Sequence, residues 1–143
     1  MHLLFLRRST PACLAIRLAT WSRWSHVAAV FGQQAFEATA RRGVRQTTVA
    51  EVLVGATDHA WASVPCRTEP ALRFLEAQVG KPYDWTAIVG MLLRRDWQED
   101  DSWFCSELVA TASVVAGVPI IRKTQNRVTP EDVWTSVAVQ RGA

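Results

Sequence analysis

Three side chains carry the chemistry this chain could do: Cys105, His26 and Glu37. Cys105 falls just past the polar run that ends at Ser102, at the start of a strongly apolar segment. That places it at the N-terminus of a predicted helix, where free N–H groups and the helix dipole favour a thiolate and can hold a developing oxyanion. A buried core cysteine fits the same position. His26 opens an apolar strand after Trp24-Ser25. It serves either as a structural residue or, if it faces Cys105, as the base of a Cys–His pair. Glu37 lies inside QAFEATA and either points to solvent or orients a neighbour. If the segments on either side of Gly32 form a tight hairpin, Glu37 falls on the diagonal from His26 and on the same face. There it could hold the imidazole, the third role in a triad. His2, at a terminus, and His59, after the turn at Asp58, are weaker candidates.

The elements that must position these residues follow from local pattern. His2 to Leu6 reads as a short strand, and Thr10-Pro11 as an N-cap and first helical position. HVAAVF, residues 26 to 31, is a buried strand stopped by Gly32, and residues 34 to 40 return as its hairpin partner. Gly43 marks a turn, and Val44 to Thr48 continue extended. Thr48 caps one helical turn that reaches Leu53, with Glu51 at the third position, and residues 59 to 66 form a further strand. The period then changes. Ala71, Leu72, Leu75 and Val79 make an amphipathic helix that starts near Thr68 and ends at Gly80. A second helical region is expected from Asp84 to Arg95, then an acidic loop, then a helix from Ser102 to Ala116 stopped by Gly117 and Pro119. Thr129 caps a last short helix, and Val137 to Val139 read as a final strand. Strands first and helices after is an α+β order.

Length and composition bound the reading. The 143 residues favour a single domain over residues 1 to 143, large enough for its own core. The net charge of +3 is mild. Arginines and lysines gather at Arg41, Arg42 and Arg45, at Arg94 and Arg95, and at Arg122, Lys123 and Arg127. These read as solvated faces, too sparse for a nucleic-acid footprint. Cys13, Cys66 and Cys105 are odd in number and widely spaced, with no CxxC, so neither a disulfide framework nor a zinc site is expected. The apolar runs Leu3 to Leu6 and Ile88 to Leu93 are too short for a signal core or a membrane span, so a cytoplasmic site of synthesis without a signal peptide is expected. The seven tryptophans read mainly as core, although Trp24 and Trp103, each two residues before a candidate catalytic residue, could border a cleft.

Three segments together resemble the permuted branch of the NlpC-type papain-like superfamily, the group of YiiX-like bacterial proteins related to lecithin:retinol acyltransferase. They are WSHVAAVFG with FEA (residues 24–32 and 36–38), VGKPYDW (79–85), and WFCSELVA with VTPEDVW (103–110 and 128–134). The histidine strand precedes the cysteine helix here, which is the permuted order. The resemblance implies a circularly permuted papain-like fold, an antiparallel sheet packed on helices with the cysteine at a helix N-terminus. It implies Cys105 as nucleophile, His26 as base and Glu37 as the orienting residue, with Tyr83 either lining the site or packing at a helix start. No metal or organic cofactor is implied.

The reaction expected from this is acyl transfer on an amide or ester. A first function is hydrolysis of peptidoglycan peptide bonds, by an enzyme carried to the cell wall in a phage particle, such as part of its tail, or by a secretion system. A second is an intracellular amidase or lipid acyltransferase. A third is a non-catalytic structural or binding module. No nucleic-acid partner and no transmembrane segment are expected.

Overall fold

The computed structural model describes residues 1–86, 102–121 and 128–141. Its centre is β1 (His2–Arg7), whose run Leu3 to Leu6 is buried on both faces of a five-stranded sheet. The strand order is β4 (Gly43–Thr48), β3 (Gln34–Thr39), β2 (His26–Phe31), β1, β5 (Asp58–Ser63). All neighbours are antiparallel. The chain is therefore α+β. Helix α1 (Pro11–Thr20) joins β1 to β2 and is capped as its Thr10-Pro11 start predicts, the Thr10 hydroxyl accepting from Cys13 N.

Alternation along the strands makes two cores. One face gathers Leu4, Leu6, Ala28, Val30 and Ala35 under the short helix α2 (Val49–Leu53). The larger core gathers Leu3, Phe5, Val27, Ala29 and Phe36 with Leu75 of α3 (Thr68–Gln78), with Cys105 and Leu108 of α4 (Cys105–Val115), and with Val133 and Val137 of α5 (Pro130–Arg141). Most of α4 is buried, so its apolar character reflects packing on several sides. It closes with Gly117 at φ +82 and bonds from Gly117 N to Val114 O and Val118 N to Ser113 O, a Schellman end.

Some boundaries differ from expectation. The helix expected from Ser102 begins at Cys105, because Trp103 pairs with Tyr83 in a parallel bridge and Phe104 is extended. The strand expected over residues 59 to 66 runs from Asp58 to Ser63, just short of Pro65. Val137 to Val139 are helical, not a strand. Thr129 and Asp132 cap each other there, and Val133 and Val137, four residues apart, both reach the core, so the helical period wins. Of the helix expected from Asp84 to Arg95, Trp85 and Thr86 are helical; residues 87 to 95 lie outside the described residues, as do the basic groups at 94–95 and 122–127.

Candidate active site

The hairpin β2–β3 sets the site. Its ladder pairs Ala29 with Phe36, Val30 with Ala35 and Phe31 with Gln34, the register the tight turn at Gly32 implies. The pairing stops at Ala29, and His26 lies beyond it, where the strands part. Across this gap His26 Nε2 and Glu37 Oε2 are 2.6 Å apart. The Cys105 side chain lies close enough to the ring to act on it electrostatically. With Nε2 engaged by Glu37, Nδ1 is the ring nitrogen left for a further partner. Cys105 holds the first helical position of α4, where its own N–H has no intrahelical acceptor.

The electrostatics follow from these contacts. Burial alone would pull the His26 pKa down, but hydrogen bonds and charge from Cys105 and Glu37 outweigh it and push it up to about 10. Burial likewise opposes ionisation of Glu37, yet His26 and Arg45 hold its carboxyl at about 2. The fully buried Glu37 is ionised, and its charge is shared by two cations.

Arg45 is a site residue that the sequence had assigned to a solvated face. Its Nε and Nη2 donate to Glu37 Oε1 at 2.8 and 2.6 Å, and its Nη1 lies 3.5 Å from Glu51 Oε2. The signal was present: the turn at Gly43 sets a β3–β4 register in which Arg45 stands directly opposite Glu37.

A second carboxylate, Glu107, lies two residues after Cys105. It is the third residue of α4, and its Oε2 accepts from Phe104 N at 3.4 Å. Burial raises its pKa to about 7, against the Phe104 N–H and with help from the charge of Asp84. Asp84 is itself buried and accepts from Thr86 Oγ1 at 2.7 Å. The capping position three residues after Phe104 was legible; the proximity of Asp84, which depends on the 83–103 bridge, was not.

The three expected cleft aromatics part company. Tyr83 lines a cavity of about 590 Å3 whose wall includes His26 and Ser25. Burial, then the charge of Cys105, drives its hydroxyl pKa upward, so it stays protonated. Trp24 is 1% exposed, with its ring 5.4 Å from that of Trp134 and 6.0 Å from Phe5; it packs in the core and lines neither of the cavities at the site. Trp103 donates from Nε1 to Gln78 Oε1 at 3.1 Å and stacks edge-on against Phe74, away from the cavity wall. Cys105 is also 1% exposed and lies behind that wall, while Cys13 is part of it.

No protein-family model matches the sequence, and no curated protein does. Among solved structures, the metalloprotein YiiX from Escherichia coli O157:H7 (DUF1105) is similar, with a TM-score of 0.63 and 21% identity over 83% of this chain and 67% of that one. Among the described residues here, no group of three or more His, Cys, Asp or Glu side chains is arranged to hold a metal ion. No helix of the described residues is long and apolar enough to cross a membrane. The likeness extends to the fold: the chain has a YiiX-like α+β architecture.

Proposed function

We propose that the chain is a thiol hydrolase of the permuted papain-like type, with Cys105 as nucleophile, His26 as general base and acid, and Glu37 as the residue that orients His26. The observation that carries this reading is the His26–Glu37 bond of 2.6 Å, clamped by Arg45, set beside Cys105 at the head of a helix. A merely structural cysteine has no need of an imidazole whose far nitrogen is held by an ionised, arginine-clamped carboxylate.

In the reaction, with the proton already held on His26, the Cys105 sulfur attacks the carbonyl carbon of an amide or ester as the anionic half of the ion pair. The C–S bond forms as the carbonyl oxygen takes the negative charge, facing the Cys105 N–H at the helix start. His26 gives its proton to the leaving nitrogen or oxygen, and a thioester remains. Water, deprotonated by His26, attacks the thioester; the C–S bond breaks and the thiol is restored.

Peptidoglycan stem peptides are the substrate that the NlpC-type resemblance favours, with delivery to the wall by a phage particle or secretion system. The test is mass spectrometry of purified muropeptides after incubation with wild-type and Cys105→Ser protein. Cleavage products that need Cys105 support the reading; an unchanged muropeptide profile removes the cell-wall substrate. The near-complete burial of Cys105 favours a second reading, a non-catalytic module that keeps the fold. Absence of Cys105-dependent turnover on any amide or ester panel would favour it.

A further inference from the structure

Arg41, Arg42 and Arg45 look like a solvated basic face in sequence, yet the fold brings all three to the cavity beside His26. Arg8, from the end of β1, joins them there. Among the described residues, no aspartate or glutamate lines this cavity. Arg45 is committed to Glu37 and Glu51. The other three have no acidic partner among the described residues. Arg8 is anchored by Nη2 donating to Val52 O at 2.5 Å, and its Nε is buried without a hydrogen-bond partner.

The turn that carries Arg41 and Arg42 is locked in place. Gly43 has φ +65, and a Cβ on it would come within 2.2 Å of Lys81 O. Val44 N donates to that same oxygen at 2.8 Å, and Gly80 N donates to Val44 O at 2.9 Å. The close approach of the two loops makes glycine the residue that fits. A second cavity of about 300 Å3 shares Arg41, Arg42 and Tyr83 with the first and continues to the half-exposed Trp85. The shared wall of Arg41 and Arg42 thus borders the cleft beside His26.

A cavity lined by one sign of charge concentrates the opposite charge. Guanidinium forks match carboxylate and phosphate oxygens in pairs. We propose that this cleft binds an anionic group of the substrate, a carboxylate or a phosphate, through Arg41 and Arg42 with Arg8 beneath them. As a statement about substrate it rests on the hydrolase reading, but the binding can be measured without turnover.

The experiment uses Cys105→Ala protein and NMR chemical-shift titration with glutarate and with glycerol phosphate, taking glutaramide and glycerol as their neutral counterparts. The expected result is saturable shifts at Arg41, Arg42 and His26 with at least one anion and with neither neutral compound. Arg41→Ala/Arg42→Ala should weaken that Kd by about ten-fold or more, the loss of a charge-assisted contact. A response to glutarate alone assigns a carboxylate, and to glycerol phosphate alone a phosphate. Shifts with neither anion, or a Kd unchanged in the double variant, overturn the proposal. Those outcomes leave the hydrolase reading standing, because Cys105-dependent cleavage is measured separately.

Discussion

Two buried carboxylates, Glu37 on the sheet and Glu107 on α4, have environments that push them in opposite directions. Glu37 reaches the site from the sheet and is held at about 2, because His26 and the Arg45 fork outweigh its burial. Glu107 reaches it from α4 and is pushed up to about 7, because burial and Asp84 outweigh one backbone N–H. Similar burial gives opposite results according to whether a cation is supplied. The sheet side is built to keep a charge that orients the histidine. The helix side holds a carboxyl that works as a cap in either protonation state.

The largest expected effect is on the sheet side. Glu37→Ala leaves His26 and Arg45 without their shared anion, and the cost should be about 3–5 kcal/mol in urea unfolding at pH 7. Its histidine titration should also fall below that of wild type by NMR, since Glu37 is one of the groups that raise it. An unchanged histidine titration would break the comparison at its stronger end.

Arg45→Met is next. It keeps the His26–Glu37 bond and removes the fork, so a loss of about 1–3 kcal/mol is expected at pH 7. The sign with pH follows from the depressed Glu37 pKa: its contribution is present above the unfolded value near 4.5 and is lost as pH falls from there towards 2. In Arg45→Met that acid-side loss should shrink. A matching term works from the other end. His26, raised to about 10, contributes fully below its unfolded value near 6.5 and loses that contribution as pH rises towards 10. Stability followed by urea midpoint across pH should therefore decline on both sides of a plateau.

The smallest effect is on the helix side. Glu107 binds its proton more tightly folded than unfolded, so its contribution is greatest below 4.5 and is lost as pH rises through about 7. Glu107→Gln retains an acceptor for Phe104 N and should be more stable than wild type at pH 8 by about 1 kcal/mol, with little difference at pH 4. If the variant is less stable at pH 8, Glu107 is ionised and compensated, and the contrast with Glu37 is lost.

The sheet half of the site was readable because strand pairing is arithmetic. Once Gly32 fixes a tight turn, Glu37 must fall diagonal to His26, and the same rule at Gly43 places Arg45 opposite Glu37. Composition had hidden Arg45 among neighbouring arginines. The helix half was less readable. Which loop meets Phe104 depends on the bridge between Tyr83 and Trp103, a contact between segments twenty positions apart with no local signature. Trp24 misled for a related reason: closeness in sequence to His26 says nothing of side-chain direction, and its ring turns into the core against Trp134. The terminal Val-Ala-Val looked like a strand by composition, but the cap at Thr129 sets a helix running through it.

The most direct test of the central claim is the rate of alkylation at each cysteine by iodoacetamide at pH 6, resolved by peptide mass spectrometry. Exposure alone ranks Cys105, which is buried, behind the half-buried Cys13 and Cys66. The account predicts the reverse: Cys105 reacts first, and His26→Ala removes its advantage. If Cys105 is the slowest of the three and His26→Ala makes no difference, Cys105 is a core cysteine and the hydrolase reading is wrong.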